Sequence, residues 1–148
     1  MSLVPWFLAL FGLSTGYALW RGGGPERVTA AVFVAGVLAS VTVGLFRIPG
    51  DFATVPIRLL TIDVLGAILF AWIAIRANRL WTIPFAACQL LTALAHFARL
   101  ADPGIIPKGY MFLTVIWSWP MVLLLAWGTY LYRERKRIGR PLPDWKPS

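Results

Sequence analysis

Apolar and polar positions along this chain are not interleaved but grouped in blocks. Five apolar blocks cover residues 3–20, 28–46, 57–75, 80–98 and 110–132, with short polar connectors between them. Each is 18 to 23 residues long, the length an α-helix needs to cross about 30 Å of hydrocarbon. An amphipathic helix of a soluble bundle would carry polar residues every third or fourth position. The block 28–46 is apolar or small throughout. The pattern predicts an all-α integral membrane bundle of five transmembrane helices over residues 1–132, followed by a basic, Pro-rich cytoplasmic tail over 133–148. The blocks take 98 of the 148 residues, so the chemistry of this chain is expected in the bilayer, in short loops or in the tail.

Composition agrees with the pattern. Mean hydropathy is +0.72 and 14% of residues are charged, where a soluble chain carries about a quarter. Of the charged side chains, only Asp63 lies well inside an apolar block. The first block lacks a basic leader and a clean small-x-small cleavage site, so it reads as a span rather than a signal peptide. The single cysteine, Cys88, excludes an internal disulfide and a cysteine-based metal cluster; among Ala86, Ala87 and Leu90 it reads as a small apolar side chain.

The net charge of +8 does not point to nucleic acid, because the basic residues stand at block ends, where topology accounts for them. Arg21, Arg27, Arg76, Arg79 and the tail residues Arg133, Arg135, Lys136, Arg137, Arg140 and Lys146 share one side of a five-span protein; Arg47, Arg58, Arg99 and Lys108 share the other. Ten against four predicts a cytoplasmic tail and a periplasmic N-terminus. The run at 133–140 is also suited to anionic headgroups. The Pro-rich segment after it would be mobile alone in solution, and a partner protein is the simplest thing to hold it.

Small residues recur at helical spacing. Gly12 and Gly16 form a GxxxG in the first block, and Gly36, Ser40 and Gly44 repeat the device in the second. Such faces let helix backbones approach closely; packing within the chain is the expected use and a neighbouring subunit the alternative. The connector 21–27 contains Gly22, Gly23 and Gly24, which permit positive φ in a tight turn; Pro25 and Glu26 suit the first turn of the next helix. It lacks the lysine and hydroxyl of a nucleotide loop. Residues 47–56 read as a fixed turn with Thr54 as an N-cap. The connector 76–79 forces an antiparallel hairpin of the third and fourth helices, and Asp102-Pro103-Gly104 marks another turn. Trp6, Trp20, Trp81, Tyr110, Tyr130 and Tyr132 fall at the two membrane interfaces. Trp117 and Trp119 do not, and they sit beside Pro120, which should kink the fifth helix. With Trp145 they are candidate contacts for a partner, pigment or lipid.

One polar constellation stands out. An aspartate near mid-span costs about 2.5–3.5 kcal/mol on an insertion scale, so Asp63 needs a partner or a proton. Folding about the 76–79 turn sets residue 63 opposite about residue 94 at ~1.5 Å rise per residue, within reach of His96, the only histidine. Arg58 and Arg99 lie about a turn further out and Gln89 deeper, giving a candidate cluster of Asp63, His96, Arg58, Arg99 and Gln89. It would serve to fix the helix register, to meet another chain, or to exchange protons with a bound quinone. No metal set is present, a haem would have one histidine and Met111 or Met121, and no nucleophile motif accompanies His96. No cofactor is predicted; a bound lipid or quinone is the ligand the cluster would suit.

The stretches Arg21-Gly-Gly-Gly-Pro-Glu-Arg27 and Gln89-Leu-Leu-Thr-Ala-Leu-Ala-His96-Phe-Ala-Arg99-Leu-Ala-Asp102-Pro103 resemble a group of small multipass membrane proteins in alphaproteobacteria. The resemblance covers most of the chain. It implies a bacterial inner membrane and no mechanism. Together these features lead to the expectation of a non-enzymatic membrane subunit packed against a larger complex, by analogy a photosynthetic or respiratory one. The alternatives are a homo-oligomeric transporter or channel lined by Asp63, and a quinone-binding or enzymatic protein using Asp63 and His96.

Overall fold

The computed structural model describes residues 3–45, 57–102, 104–140 and 142–147. The turn expected at 47–56 with its Thr54 cap, and Pro103 of the later turn, lie outside them. The described chain forms α1 (Val4–Arg21), α2 (Gly24–Leu45), α3 (Ile57–Arg76), α4 (Thr82–Ala101), α5 (Pro107–Ile116) and α6 (Ser118–Arg137). Four segments are long and apolar enough to cross a membrane: α2, α3, α4 and the run 108–137 made of α5 and α6. α1, with 18 residues that include Ser14, Thr15, Tyr17 and Trp20, is not among them. Leu13, Leu45, Leu65, Ile68, Ile75 and Leu90 are all more than half exposed, an outward apolar belt suited to lipid.

The fifth block is two helices rather than one. Pro120 has no N–H to offer the carbonyl of Ile116, and α5 ends at Ile116. The interruption therefore falls one turn before the proline that causes it. Trp117 at the break packs partly buried against the core, and Trp119 meets Phe7 of α1 with ring centroids 5.3 Å apart. At its other end α6 runs past residue 132 to Arg137, so the basic run is helical.

Burial is concentrated toward the end of the bundle that carries the tail. In α2 the buried residues stop at Phe33, and in α3 they are Phe70 and Ile73, near its C-terminus. An aromatic cluster fills this end. Phe85 stands edge-on to Phe33 (5.4 Å), Phe70 (4.8 Å) and Trp81 (5.9 Å), a geometry that adds about 0.5–1.5 kcal/mol per pair beyond area burial. Met121, Val122 and Leu125 of α6 complete it. Lipid tails are as apolar as leucine, so close van der Waals fit and interhelical hydrogen bonds hold such a bundle. One of those bonds joins α1 to α6, where Ser14 Oγ donates to the carbonyl of Val122 at 2.7 Å.

The same end holds a buried ionic clasp. Arg79, in the α3–α4 turn, donates through Nε to Glu26 Oε1 at 3.2 Å and through a terminal nitrogen to Asp144 Oδ1 at 2.8 Å. It also reaches the carbonyls of Asn78 and Pro143. Glu26 is wholly buried, and the indole N–H of Trp81 shares its Oε1 at 3.3 Å. Asp144 turns its other oxygen to the backbone N–H of Gly24 at 2.9 Å, where a carboxylate meets the positive end of α2. The tail then pairs with the turn as a short antiparallel bridge: Asn78 N–H donates to the Asp144 carbonyl at 3.1 Å and Lys146 N–H to the Arg76 carbonyl at 2.8 Å. Trp145 packs on Trp72 with centroids 6.0 Å apart. The segment expected to need a partner is thus held by its own chain.

The glycines also serve a purpose other than the expected one. None of Gly22, Gly23 and Gly24 has a positive φ; among the described residues only Gly139 does. The connector glycines clear space instead. A Cβ on Gly23 would stand 2.7 Å from the Tyr132 ring and 2.8 Å from Asp144 Oδ1, and one on Gly24 3.1 Å from the Trp145 indole nitrogen. In contrast, a Cβ on Gly12, Gly16, Gly36 or Gly44 would meet nothing within 4 Å. Among the described residues, packing within the chain, the expected use of these four, does not occur. The α1 face that packs is the opposite one, through Ser14, Thr15 and Ala18.

Two outcomes follow for stability in detergent, measured by titration with a denaturing detergent. Glu26→Ala leaves Arg79 buried with one acidic partner fewer and is expected to cost about 3–5 kcal/mol, more than Asp144→Ala, whose carboxylate is about one-third exposed; equal losses would mean the buried pair is not the centre of the clasp. Gly128→Ala drives a methyl into the Trp81 indole and is expected to cost about 1–3 kcal/mol, whereas Gly12→Ala should leave stability unchanged.

Candidate functional site

Asp63 lies in the half of α3 far from the clasp, and α4 runs beside it in the antiparallel hairpin. Their register brings His96 Nε2 to Asp63 Oδ2 at 2.8 Å. Gln89, two turns deeper on α4, donates its amide N–H to Asp63 Oδ1 at 3.0 Å and to the Asp63 carbonyl at 3.3 Å. Gly66 permits this approach, because a Cβ there would stand 3.2 Å from Gln89 Nε2. The other face of the imidazole is taken as well: Tyr110, in the first turns of α5, places its hydroxyl 2.6 Å from His96 Nδ1. The result is a continuous hydrogen-bonded line, Gln89–Asp63–His96–Tyr110, across three helices.

The remaining two members of the expected cluster behave differently. Arg99 is buried and donates to the carbonyl of Ile105 in the loop after α4. Arg58 is exposed at the start of α3 and forms no ion pair with any described acid. Tyr110 was assigned to the interface by its position in sequence. Its place on the imidazole depends on the path of the loop before α5, for which no residue spacing gives a signal.

Both ring nitrogens of His96 are engaged, so a metal or haem iron could be ligated only by breaking one of these bonds. Among the described residues no three His, Cys, Asp or Glu side chains converge. The line instead supports Asp63 with two side-chain hydrogen-bond partners in a low-dielectric setting, where an unpaired carboxylate would be costly. His96 is almost fully buried, while Asp63 remains about one-fifth exposed on its side chain.

Asp63 is exposed to a cleft. The fully buried residues of α2 stop at Phe33, and beyond it Val37 packs only partly buried against the core. The cleft has a volume of about 420 Å³, with apolar walls from Phe7, Val37, Phe70 and Met121. Gly36 and Ser40 line it from α2, Asp63 and Gly66 from α3, and Gln89 and Thr92 from α4. The small-residue face of α2 and the polar line therefore meet in one place. A mostly apolar cleft of about 300–1,000 Å³ with a few convergent polar groups is the usual form of a ligand site.

Compared with protein-family models, curated proteins and solved structures, the chain matches none.

Removing the phenolic hydroxyl tests the line directly. Tyr110→Phe is expected to shift the ¹⁵N signals of the His96 ring and to cost about 1 kcal/mol, the usual scale of an interhelical side-chain bond. Unchanged ring signals would show that the Tyr110–His96 bond is not made in the membrane.

Proposed function

We propose that this protein is a non-enzymatic integral membrane subunit whose open small-residue faces receive transmembrane helices of a larger complex. The observation that carries this reading is the free space beside Gly12, Gly16, Gly36 and Gly44. Small residues at four-residue spacing in an apolar helix suit close backbone approach, and none of the described helices makes that approach. The cleft beside α2 extends the same face and offers Asp63 and Gln89 as polar anchors for a side chain of the incoming helix. The reading takes α1 as a fifth crossing. Ten basic residues gather at the clasp end, which argues for a cytoplasmic tail and a periplasmic N-terminus in a bacterial inner membrane.

A second reading is favoured by one further observation, the Asp63–His96–Tyr110 line on the cleft wall. Its groups can exchange protons with a hydrogen-bonding amphiphile of quinone type seated in about 420 Å³, in a bound-ligand or transport role.

Purification in a gentle detergent with mass spectrometry of the intact assembly separates these. Stoichiometric membrane partners that are lost in Gly12→Leu/Gly16→Leu, with the fold retained, support the subunit reading. A lone chain or homo-oligomer would overturn it. For the second reading, a co-purifying quinone should be lost in Asp63→Asn; its retention there would exclude Asp63 as its contact.

A further inference from the structure

A second cleft lies at the clasp end, and its chemistry is the opposite of the first. It has a volume of about 620 Å³ and is formed by the end of α1, the start of α2 and the last turns of α6. Five cations line it: Arg21, Arg27, Arg133, Lys136 and Arg137, with one carboxylate, Glu134. That carboxylate is already held by Arg137 at 3.0 Å. Arg21, Arg27, Arg133 and Lys136 form no ion pair with any described acid. Like charges gathered from three helix ends repel one another unless an anion sits among them.

The cleft is also built rather than incidental. Arg21 stacks over the Trp20 ring at 3.9 Å, and Arg27 donates to the Trp20 carbonyl at 3.5 Å, so two of the cations are held at the rim. Tyr17 and Tyr130 add phenolic hydroxyls to the lining. The first turn of α2, which carries Arg27, is tied to the tail by Gly24 N–H on Asp144. The location is the boundary where apolar α1 and α6 give way to charge, the level at which Trp and Tyr rings meet headgroups. Basic pockets between membrane helices on the cytoplasmic side are suited to headgroups bearing more than one phosphate.

We infer that this cleft binds the headgroup of an acidic phospholipid with two phosphates, one phosphate toward Arg21 and Arg27 and the other toward Arg133 and Lys136. The recognising chemistry is phosphate oxygen on guanidinium. The lipid source is favoured over a free polyphosphate because Trp20 and Tyr130, which stand exposed at the rim, offer aromatic surface to acyl chains.

Native mass spectrometry of the full chain in detergent tests this, with tetraoleoyl cardiolipin, dioleoyl phosphatidylglycerol, dioleoyl phosphatidylcholine and inorganic pyrophosphate as probes. One cardiolipin per chain should be retained, well above the two other lipids. Arg27→Gln/Arg133→Gln should weaken it about 30-fold, at the usual contribution of one basic residue near a membrane surface. Arg27→Lys/Arg133→Lys should keep most of the affinity, which separates lost charge from lost fold. Arg140→Gln/Lys146→Gln removes as much charge outside the cleft and should have little effect. If that control weakens binding as much, or if phosphatidylcholine binds equally, the cleft is not a site. If pyrophosphate binds without lipid and displaces cardiolipin, the ligand is a free polyphosphate and the lipid assignment is overturned.

Discussion

The arrangement of this chain depends on one guanidinium. Arg79 sits where the α3–α4 turn, the α1–α2 connector and the C-terminal tail converge, and its donors go to all three. A buried cation of this kind is costly unless every donor is used and the charge is balanced. Glu26 and Asp144 balance it, and the backbone carbonyls of Asn78 and Pro143 take two further donors. The glycines of the connector, the indole of Trp81 and the flat seat at Gly128 are all consequences of bringing these groups within 3 Å or so of one another. A side chain at Gly23, Gly24 or Gly128 would run into Tyr132, Asp144 or Trp81.

With one end fixed in this way, the helices need not pack along their whole length. Full burial in α2 and α3 gathers at the Phe33–Phe70–Phe85–Trp81 cluster, while α4 stays buried beyond it as far as Arg99. The open end holds the Asp63 line and the cleft beside it. The bundle thus has a tight end, with the clasp and the aromatic cluster, and an open end, where the cleft beside Asp63 lies. Of the uncovered glycines, Gly36 and Gly44 of α2 lie toward the second.

Much of this was legible in the sequence, and the rest was not for identifiable reasons. Block lengths gave the helices to within a few residues, because in a bilayer the helix must match the hydrocarbon thickness. The short connector at 76–79 set the register of α3 against α4, and with it the opposition of Asp63 and His96. Pro120 marked the break in the fifth block. The clasp was not foreseen, because Arg79, Glu26 and Asp144 each had an adequate local explanation: flanking charge, helix-end charge and tail. Nothing in single-residue reasoning joins positions 26, 79 and 144. Tyr110 was hidden for the same reason, and the glycine motifs misled because spacing shows which backbones can approach and says nothing about which one does.

The line from Tyr110 to Asp63 has a property that follows from hydrogen-bond inventory alone. Its three groups are satisfied when Tyr110 donates to Nδ1 and Nε2–H donates to a charged Asp63. They are equally satisfied in reverse, when a protonated Asp63 donates to Nε2 and Nδ1–H donates to the Tyr110 oxygen. Passing from the first state to the second takes one proton, delivered at the phenol, while every heavy atom stays in place. The carboxylate facing the cleft then becomes neutral although the proton arrived two residues away. A proton taken up at the phenol would thus change the polarity of the cleft wall, with no helix having to move.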